Sequence, residues 1–407
     1  MSETAVRRLA ILVLVLTVVG YPLIAPVSLV LGVPNRFISI PLRAVIAGVA
    51  VLLLIGRLID QRTIPSGAFW LAWWVFWGMY IARILVDGLL NPSVLRLPLA
   101  EYVSWSIGGC LLPSVAVATR IDELGLRRTQ PIVLLLGALA IVGNVWYLFT
   151  DLALDSVLNI AVTRRQTDTL DPISLANLGA TVFLLSMWAL LQPRQWGGVR
   201  WVIPFFTACL GVLALLAGAS RGPLLTVGTG AAFLLVMNTR LRGTSGGHWG
   251  PFAFVATGIA GLIAWAIPRA ENLFVLQRLQ RGFFQDDARS VLLRDGFDAF
   301  LANPLLGAGT EPLLSYPHNV LLESFMAFGI LSGLLFCFIL ARSVRAAFRM
   351  PPTHAGTLWV AVLFLQYALG SMVSGSLYGS SGLWMMIALV VTWSEKMLPA
   401  ARLTAAP

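Results

Sequence analysis

The chain has 407 residues, 58% of them hydrophobic and only 11% charged, with a mean hydropathy of +0.84. A soluble domain carries about a quarter charged residues, so these proportions exclude a soluble enzyme and place the chain in a membrane. Its net charge of +10 comes from 28 basic and 18 acidic residues, with Lys396 the sole lysine, and must be divided between two membrane sides before it can speak for nucleic acid.

A helix needs about 20 apolar residues to cross the hydrocarbon core. Twelve runs meet or approach that length: 9-30, 39-56, 68-87, 101-119, 131-150, 173-192, 201-219, 223-239, 251-268, 319-341, 356-373 and 380-395, the last being short. The expected fold is an all-α integral membrane protein, a single polytopic domain over 1-407 with about 12 transmembrane helices. Arg7 and Arg8 open the first run, which lacks a suitably placed small-x-small cleavage site, so it reads as a retained helix and not a removed signal. With the N-terminus inside, every short inner connection is basic, from Arg57 and Arg62 through Arg120, Arg127 and Arg128 to Arg342, Arg345 and Arg349. The inner side then holds sixteen basic residues against five acidic, and the outer side twelve against thirteen. The charge excess is therefore topological, as the positive-inside rule asks, and an even number of spans returns the C-terminus to the cytoplasm. Cys110, Cys209 and Cys337 each sit in an apolar run and read as packing residues, not as a disulfide framework.

Within the spans, Arg83 and Asp87 are four apart and predict an internal ion pair, whereas Arg43 has no obvious local partner. The outer connections are unequal: 151-172 is moderate and 269-318 runs to about fifty residues, a length more often functional than ornamental. The first carries Arg164 and Arg165. The tight turn Ser220-Arg221-Gly222 places a guanidinium where it cannot wander far, suited either to bidentate phosphate contact or to snorkelling toward lipid headgroups. In the long loop, Arg278 and Arg281 would share a helix face beside Asp286 and Asp287, which can pair with them. Val291, Leu292, Phe297, Phe300 and Leu301 recur among charged residues and predict an amphipathic helix on the membrane surface or capping the bundle.

Farther along, Gly307-x-Gly309 after Pro304 reads as a turn more readily than as a phosphate cradle. His318 sits at the outer mouth of a predicted span, where an imidazole of ordinary pKa near 6.5 either accepts a proton or caps the helix. Asn319 and Glu323 share a face of that helix, and a carboxylate one turn into the membrane is costly unless paired. The histidines and cysteines lack metal-ligand spacing, so no metal or other cofactor is expected.

Together these residues resemble the O-antigen ligase and O-antigen polymerase superfamily of bacterial envelope polysaccharide assembly. The resemblance rests on Ser220-Arg221-Gly222, on Arg289 running into Asn303-Pro304-Leu305-Leu306-Gly307-x-Gly309, and on His318-Asn319-x-x-Leu322-Glu323 followed by Phe328-Gly329-Ile330-Leu331-x-Gly333. It is strongest over 170-345, where Asp171-Pro172 also matches. It implies a GT-C type architecture with one long periplasmic loop, in the bacterial inner membrane. It further implies a metal-independent, inverting transferase that moves a glycan from undecaprenyl pyrophosphate to a hydroxyl of the lipid A core or another glycan acceptor. Carried over to this sequence, His318 would be the catalytic base, and Arg221 and Arg289 would hold the pyrophosphate. Asn319 and Glu323 would orient His318, while Arg164, Arg165, Arg278 and Arg281 would be secondary contacts. A polymerase with a lipid-linked repeat as acceptor needs the same groups. A transporter or flippase is the reading from another class, against which stands the concentration of polar residues on one membrane side.

Overall fold

The computed structural model describes residues 1–60, 66–150, 170–191, 201–218, 220–242, 288–312, 315–350 and 356–404. The run 251-268 and the candidates Arg164, Arg165, Arg278 and Arg281 lie outside the described residues, as do Asp286 and Asp287. All regular structure among the described residues is helical.

In chain order the elements are α1 (Glu3–Val15), a π-helical stretch (Leu16–Gly20), α2 (Tyr21–Val30), α3 (Arg36–Ile59), α4 (Ala68–Leu90) and α5 (Leu99–Val103). A second π-helical stretch (Ser104–Leu111) leads to α6 (Leu112–Arg120), α7 (Glu123–Thr150), α8 (Pro172–Leu191), α9 (Val202–Gly218) and α10 (Arg221–Arg242). The last four are α11 (Ala288–Ala302), α12 (Val320–Arg349), α13 (Trp359–Ser374) and α14 (Ser381–Thr404). Eight helices among the described residues are long and apolar enough to cross a membrane, and α9 and α13 are shorter apolar helices. The chain is thus a multi-pass membrane protein. The short predicted run 380-395 belongs to a helix of 24 residues, because the helix continues through Lys396 to Thr404, beyond the apolar stretch.

Helices α8, α13 and α14 are apolar nearly all round and sit enclosed in the bundle, whereas α3 turns Val45, Leu52, Ile55 and Leu58 outward, as a lipid-facing helix should. Lipid tails are as apolar as leucine, so close packing and not solvent exclusion joins such helices. Two contacts illustrate it. Gly179 of α8 and Gly211 of α9 meet back to back, and a methyl group on either would lie 2.7 or 2.8 Å from the other's carbonyl oxygen. On α4, Trp73, Phe76, Trp77 and Tyr80 recur at helical spacing and are almost wholly buried. Their face meets Trp384 of α14 and Phe336 of α12, with the Trp77 and Trp384 ring centroids 4.7 Å apart and those of Phe76 and Phe336 5.6 Å apart.

Helix α12 is broken at Gly329, whose φ of 75° and ψ of −166° no helix accommodates. The connection after α11 fits into the break. The Ile330 N–H donates to the carbonyl of Pro304 at 2.8 Å, and the Ala308 N–H donates to the carbonyl of Met326 at 2.7 Å. Backbone groups released by the break are thus satisfied by a neighbouring segment, as the interior of a membrane requires. Gly307 also has positive φ, and its missing side chain leaves room for the Ala327–Phe328 peptide. The glycine pair is a turn, and its partner is Gly329. The same turn is tied to α4: Arg83 and Asp87 form the predicted ion pair at 2.9 Å, Arg83 donates to the Leu306 carbonyl, and Asp87 accepts from both the N–H and the hydroxyl of Thr310.

The predicted amphipathic segment is helix α11, and it caps α12. Gly296 faces Pro317, Leu322 and Met326, and Phe300 meets Phe325 at 5.4 Å, leaving Val291, Phe297 and Leu301 exposed. Cys110, Cys209 and Cys337 are free thiols.

A Cβ at position 329 would lie 2.3 Å from the Leu305 carbonyl oxygen on a backbone that L residues avoid. Gly329→Ala should therefore destabilise the protein by roughly 3 kcal/mol or more. Thermal unfolding of the purified protein in detergent checks it, and an unchanged midpoint would show that the break tolerates a side chain.

Candidate active site

Apart from Arg83–Asp87, the ion pairs among the described residues lie at one end of the bundle. Arg7 meets Asp122 at 2.6 Å, Arg120 meets Asp60 at 2.8 Å and Arg342 meets Glu395 at 3.6 Å. At the opposite end lies a cavity of about 720 Å³, within the roughly 300–1,000 Å³ of small-molecule sites. Its walls are the N-terminal ends of α8 and α14, the C-terminal end of α13, both π-helical stretches through Thr17, Val18 and Trp105, and the segment before α12. Such π-helical insertions recur at functional sites because they displace side chains from helical register.

Most of the lining is neutral and hydroxyl- or amide-bearing: Ser374, Ser376, Ser380, Asn177, Gln366 and several tyrosines. Some of these groups already satisfy one another. Gln366 donates to the Asn177 carbonyl at 3.0 Å and to the Thr181 hydroxyl at 2.8 Å. Asp171 caps α8, accepting from the N–H groups of Ile173 and Ser174 and from the Ser174 hydroxyl. Segment 375–380 is fixed from two sides, since the Leu377 N–H donates to Glu323 at 2.9 Å and the Leu377 carbonyl accepts from the Trp384 indole at 2.8 Å.

His318 reaches this cavity from the residue before the N-cap of α12. Its backbone is left-handed, with φ 53°, a conformation that costs a non-glycine residue about 1 kcal/mol or more. The ring packs on Tyr316, centroids 4.4 Å apart. Its Nδ1 is enclosed and has no hydrogen-bond partner among the described residues. Burial holds the imidazole below its ordinary pKa, and the guanidinium charges of Arg289 and Arg96 push the same way. The ring is therefore neutral near pH 7, with a nitrogen lone pair available to a proton donor.

The other predicted residues divide. Arg289 lies in the first turn of α11, near enough for its charge to act on His318. Arg221 opens α10, in a turn wedged between two walls of the cavity. A methyl group on Gly218 would lie 2.3 Å from the Pro172 carbonyl oxygen, and one on Gly222 would lie 3.1 Å from Val373. Neither arginine is among the residues that line the cavity. Asn319 is the N-cap of α12, accepting from the Leu322 N–H at 2.9 Å. Glu323 is fully buried and serves Leu377. Arg43, without a visible partner in the sequence, stacks 3.6 Å above the ring of Trp105, a cavity wall.

The sequence reading missed Arg96, Glu311, Tyr316 and Tyr378. Glu311 is completely buried and accepts from the hydroxyls of Tyr102 and Tyr378 and from the backbone N–H of Arg96. One signal was present: an acidic residue two positions beyond the Gly307-x-Gly309 turn and seven before His318. Among the described residues, no group of three or more His, Cys, Asp or Glu side chains is arranged to hold a metal ion.

No curated protein matches the chain. The model of the O-antigen ligase family matches residues 205–337, a stretch that contains Arg221, Arg289 and His318, and this match supports the resemblance to the O-antigen ligase and polymerase superfamily.

Proposed function

We propose that this protein is a membrane glycosyltransferase of the ligase type, which moves a glycan from undecaprenyl pyrophosphate to a hydroxyl of the lipid A core oligosaccharide. The observation that carries the reading is His318: a neutral imidazole with an unpartnered, enclosed nitrogen, lining a polar cavity inside the family-matched stretch.

In this reading the acceptor hydroxyl gives its proton to His318 while its oxygen bonds to the anomeric carbon of the donor. The bond from that carbon to the pyrophosphate oxygen breaks on the opposite face, inverting the anomeric centre, and the electron pair leaves with the pyrophosphate. Charge on the leaving group grows as the bond breaks, so fixed guanidinium groups stabilise the transition state more than the ground state. Arg221 and Arg289 supply them without a metal ion. The N-termini of α8 and α14, which face the cavity, add partial positive charge of the same sense. The cavity end is the periplasmic face of the inner membrane, and the opposite end, with its basic ion pairs, is cytoplasmic together with both termini.

Purified protein given undecaprenyl-pyrophosphate glycan and core acceptor tests the reading. His318→Ala should lower turnover by about 10²- to 10⁴-fold, and wild-type turnover in that variant removes the base. Arg221→Lys keeps the charge but loses the planar fork, and should slow transfer by about 10- to 100-fold; an unchanged rate would leave Arg221 a lipid contact. Because the base works unprotonated and its pKa lies below the ordinary value, activity should hold at neutral pH and fall on acidification with a midpoint below about 6.5. A midpoint above that value would contradict the electrostatics at His318. A deletion strain that makes core without any O-antigen supports the ligase reaction, whereas core bearing a single repeat indicates polymerase.

A further inference from the structure

Arg96 lies outside the family-matched stretch, in the connection between α4 and α5. Leu95 and Leu97 on either side pack against the apolar core, and Arg96 between them is turned outward into the cavity. Among the described residues its guanidinium forms no ion pair. What holds it is its backbone, whose N–H donates to Glu311 at 3.3 Å. Glu311 is fully buried and bound by Tyr102 and Tyr378, whose rings meet edge to face at 4.8 Å. Tyr378 approaches Tyr316 at 6.1 Å, and Tyr316 stacks on His318 at 4.4 Å. A continuous packed chain of side chains therefore joins Glu311, beneath the Arg96 backbone, to the imidazole.

A buried carboxylate is costly unless its oxygens are satisfied, and here they are committed to two hydroxyls and one peptide N–H while the nearby guanidinium is left for something else. The cavity also contains Glu101 and Asp171. Asp171 is occupied in capping α8, and the charges that act on His318 are those of Arg289 and Arg96. Both charges that act on the imidazole are therefore positive.

We propose that Arg96 is a third substrate-binding guanidinium, which takes an oxyanion of the substrate beside His318, and that Glu311 is the positioning residue that holds it there. This deepens the transferase reading and rests on it. The oxyanion belongs either to the donor pyrophosphate or to a phosphate or carboxylate of the acceptor, groups that a planar guanidinium binds alike.

The test uses the full chain in detergent, with Arg96→Gln, Arg96→Lys and Glu311→Gln, and tracks three quantities: donor KM, acceptor KM and equilibrium binding of inorganic pyrophosphate. A donor oxyanion predicts that Arg96→Gln raises donor KM and weakens pyrophosphate binding about tenfold, with kcat little changed and partial recovery in Arg96→Lys. An acceptor oxyanion predicts an acceptor KM raised about tenfold with pyrophosphate binding intact. In either case the acid limb of the pH profile should move up toward 6.5 in Arg96→Gln, because a positive charge facing His318 is removed; a purely structural loss would leave that midpoint in place. All three quantities within about twofold of wild type would overturn the proposal. Glu311→Gln should shift the same readouts in the same direction, and its silence beside a responsive Arg96→Gln removes the positioning role. A wild-type chain that transfers no glycan yet binds pyrophosphate in an Arg96-dependent way would sink the transferase reading and leave the oxyanion site standing.

Discussion

Inside hydrocarbon, a peptide group released from a helix must find another partner, and that constraint organises the catalytic end of this protein. Breaking α12 at Gly329 frees donors and acceptors in the middle of a span. They are taken up by the Pro304–Ala308 connection, which accepts from Ile330 and donates to Met326. The connection in turn is pinned to α4 through Thr310 and Asp87. From that fixed point the chain has only a few residues in which to carry Glu311, Tyr316 and His318 across the end of the bundle before α12 begins. The position of the imidazole is therefore set by backbone hydrogen bonds two helices away from it. Broken helices recur at the binding sites of membrane proteins for the same reason: irregular backbone is tolerated only where protein or a cavity surrounds it.

Charge is handled differently at the two ends. At one end, basic residues meet acidic ones directly, as Arg7 does Asp122 and Arg120 does Asp60. At the cavity end, Asp87 pairs with Arg83, but three other carboxylates are engaged by neutral donors: Asp171 by peptide N–H groups, Glu311 by two hydroxyls, Glu323 by the Leu377 N–H. None of these three carboxylates forms an ion pair with an arginine among the described residues.

The membrane class and the helices were legible because both derive from local composition. Runs of about 20 apolar residues and basic connections need no tertiary knowledge, and eleven of the twelve predicted runs correspond to described helices. The Arg83–Asp87 pair was legible from its spacing of four. His318 was legible as a polar residue unusual for its place beside an apolar helix, and it lines the cavity, whereas Arg221, singled out on the same ground, does not. The site was not legible where the role arises from packing between distant segments. Arg43 looked unpartnered because Trp105 is about sixty positions away in sequence. Glu323 looked like a companion of His318 because both sit at one end of a helix, yet it accepts a hydrogen bond from the Leu377 N–H, in the segment between α13 and α14. Glu311 carries no motif at all; only its complete burial and its three donors single it out.

The family match covers residues 205–337, but that stretch cannot build the cavity alone. Tyr21 and Trp105 come from the N-terminal helices, Arg96 from the connection between them, and Ser374 to Ser381 from the segment after α13. The N-terminal spans resemble nothing in particular because most of their residues face lipid or pack on other apolar surfaces, where many side chains of similar volume serve equally well. Their few polar contributions are placed by the fold and not by a motif: Asp87 anchors the turn, Tyr102 binds Glu311, and Arg96 lines the cavity that His318 also lines. Arg96 and Tyr102 lie within seven positions of one another, so one short stretch of chain, the end of the α4–α5 connection and α5, brings two donors to Glu311 from outside the family-matched segment.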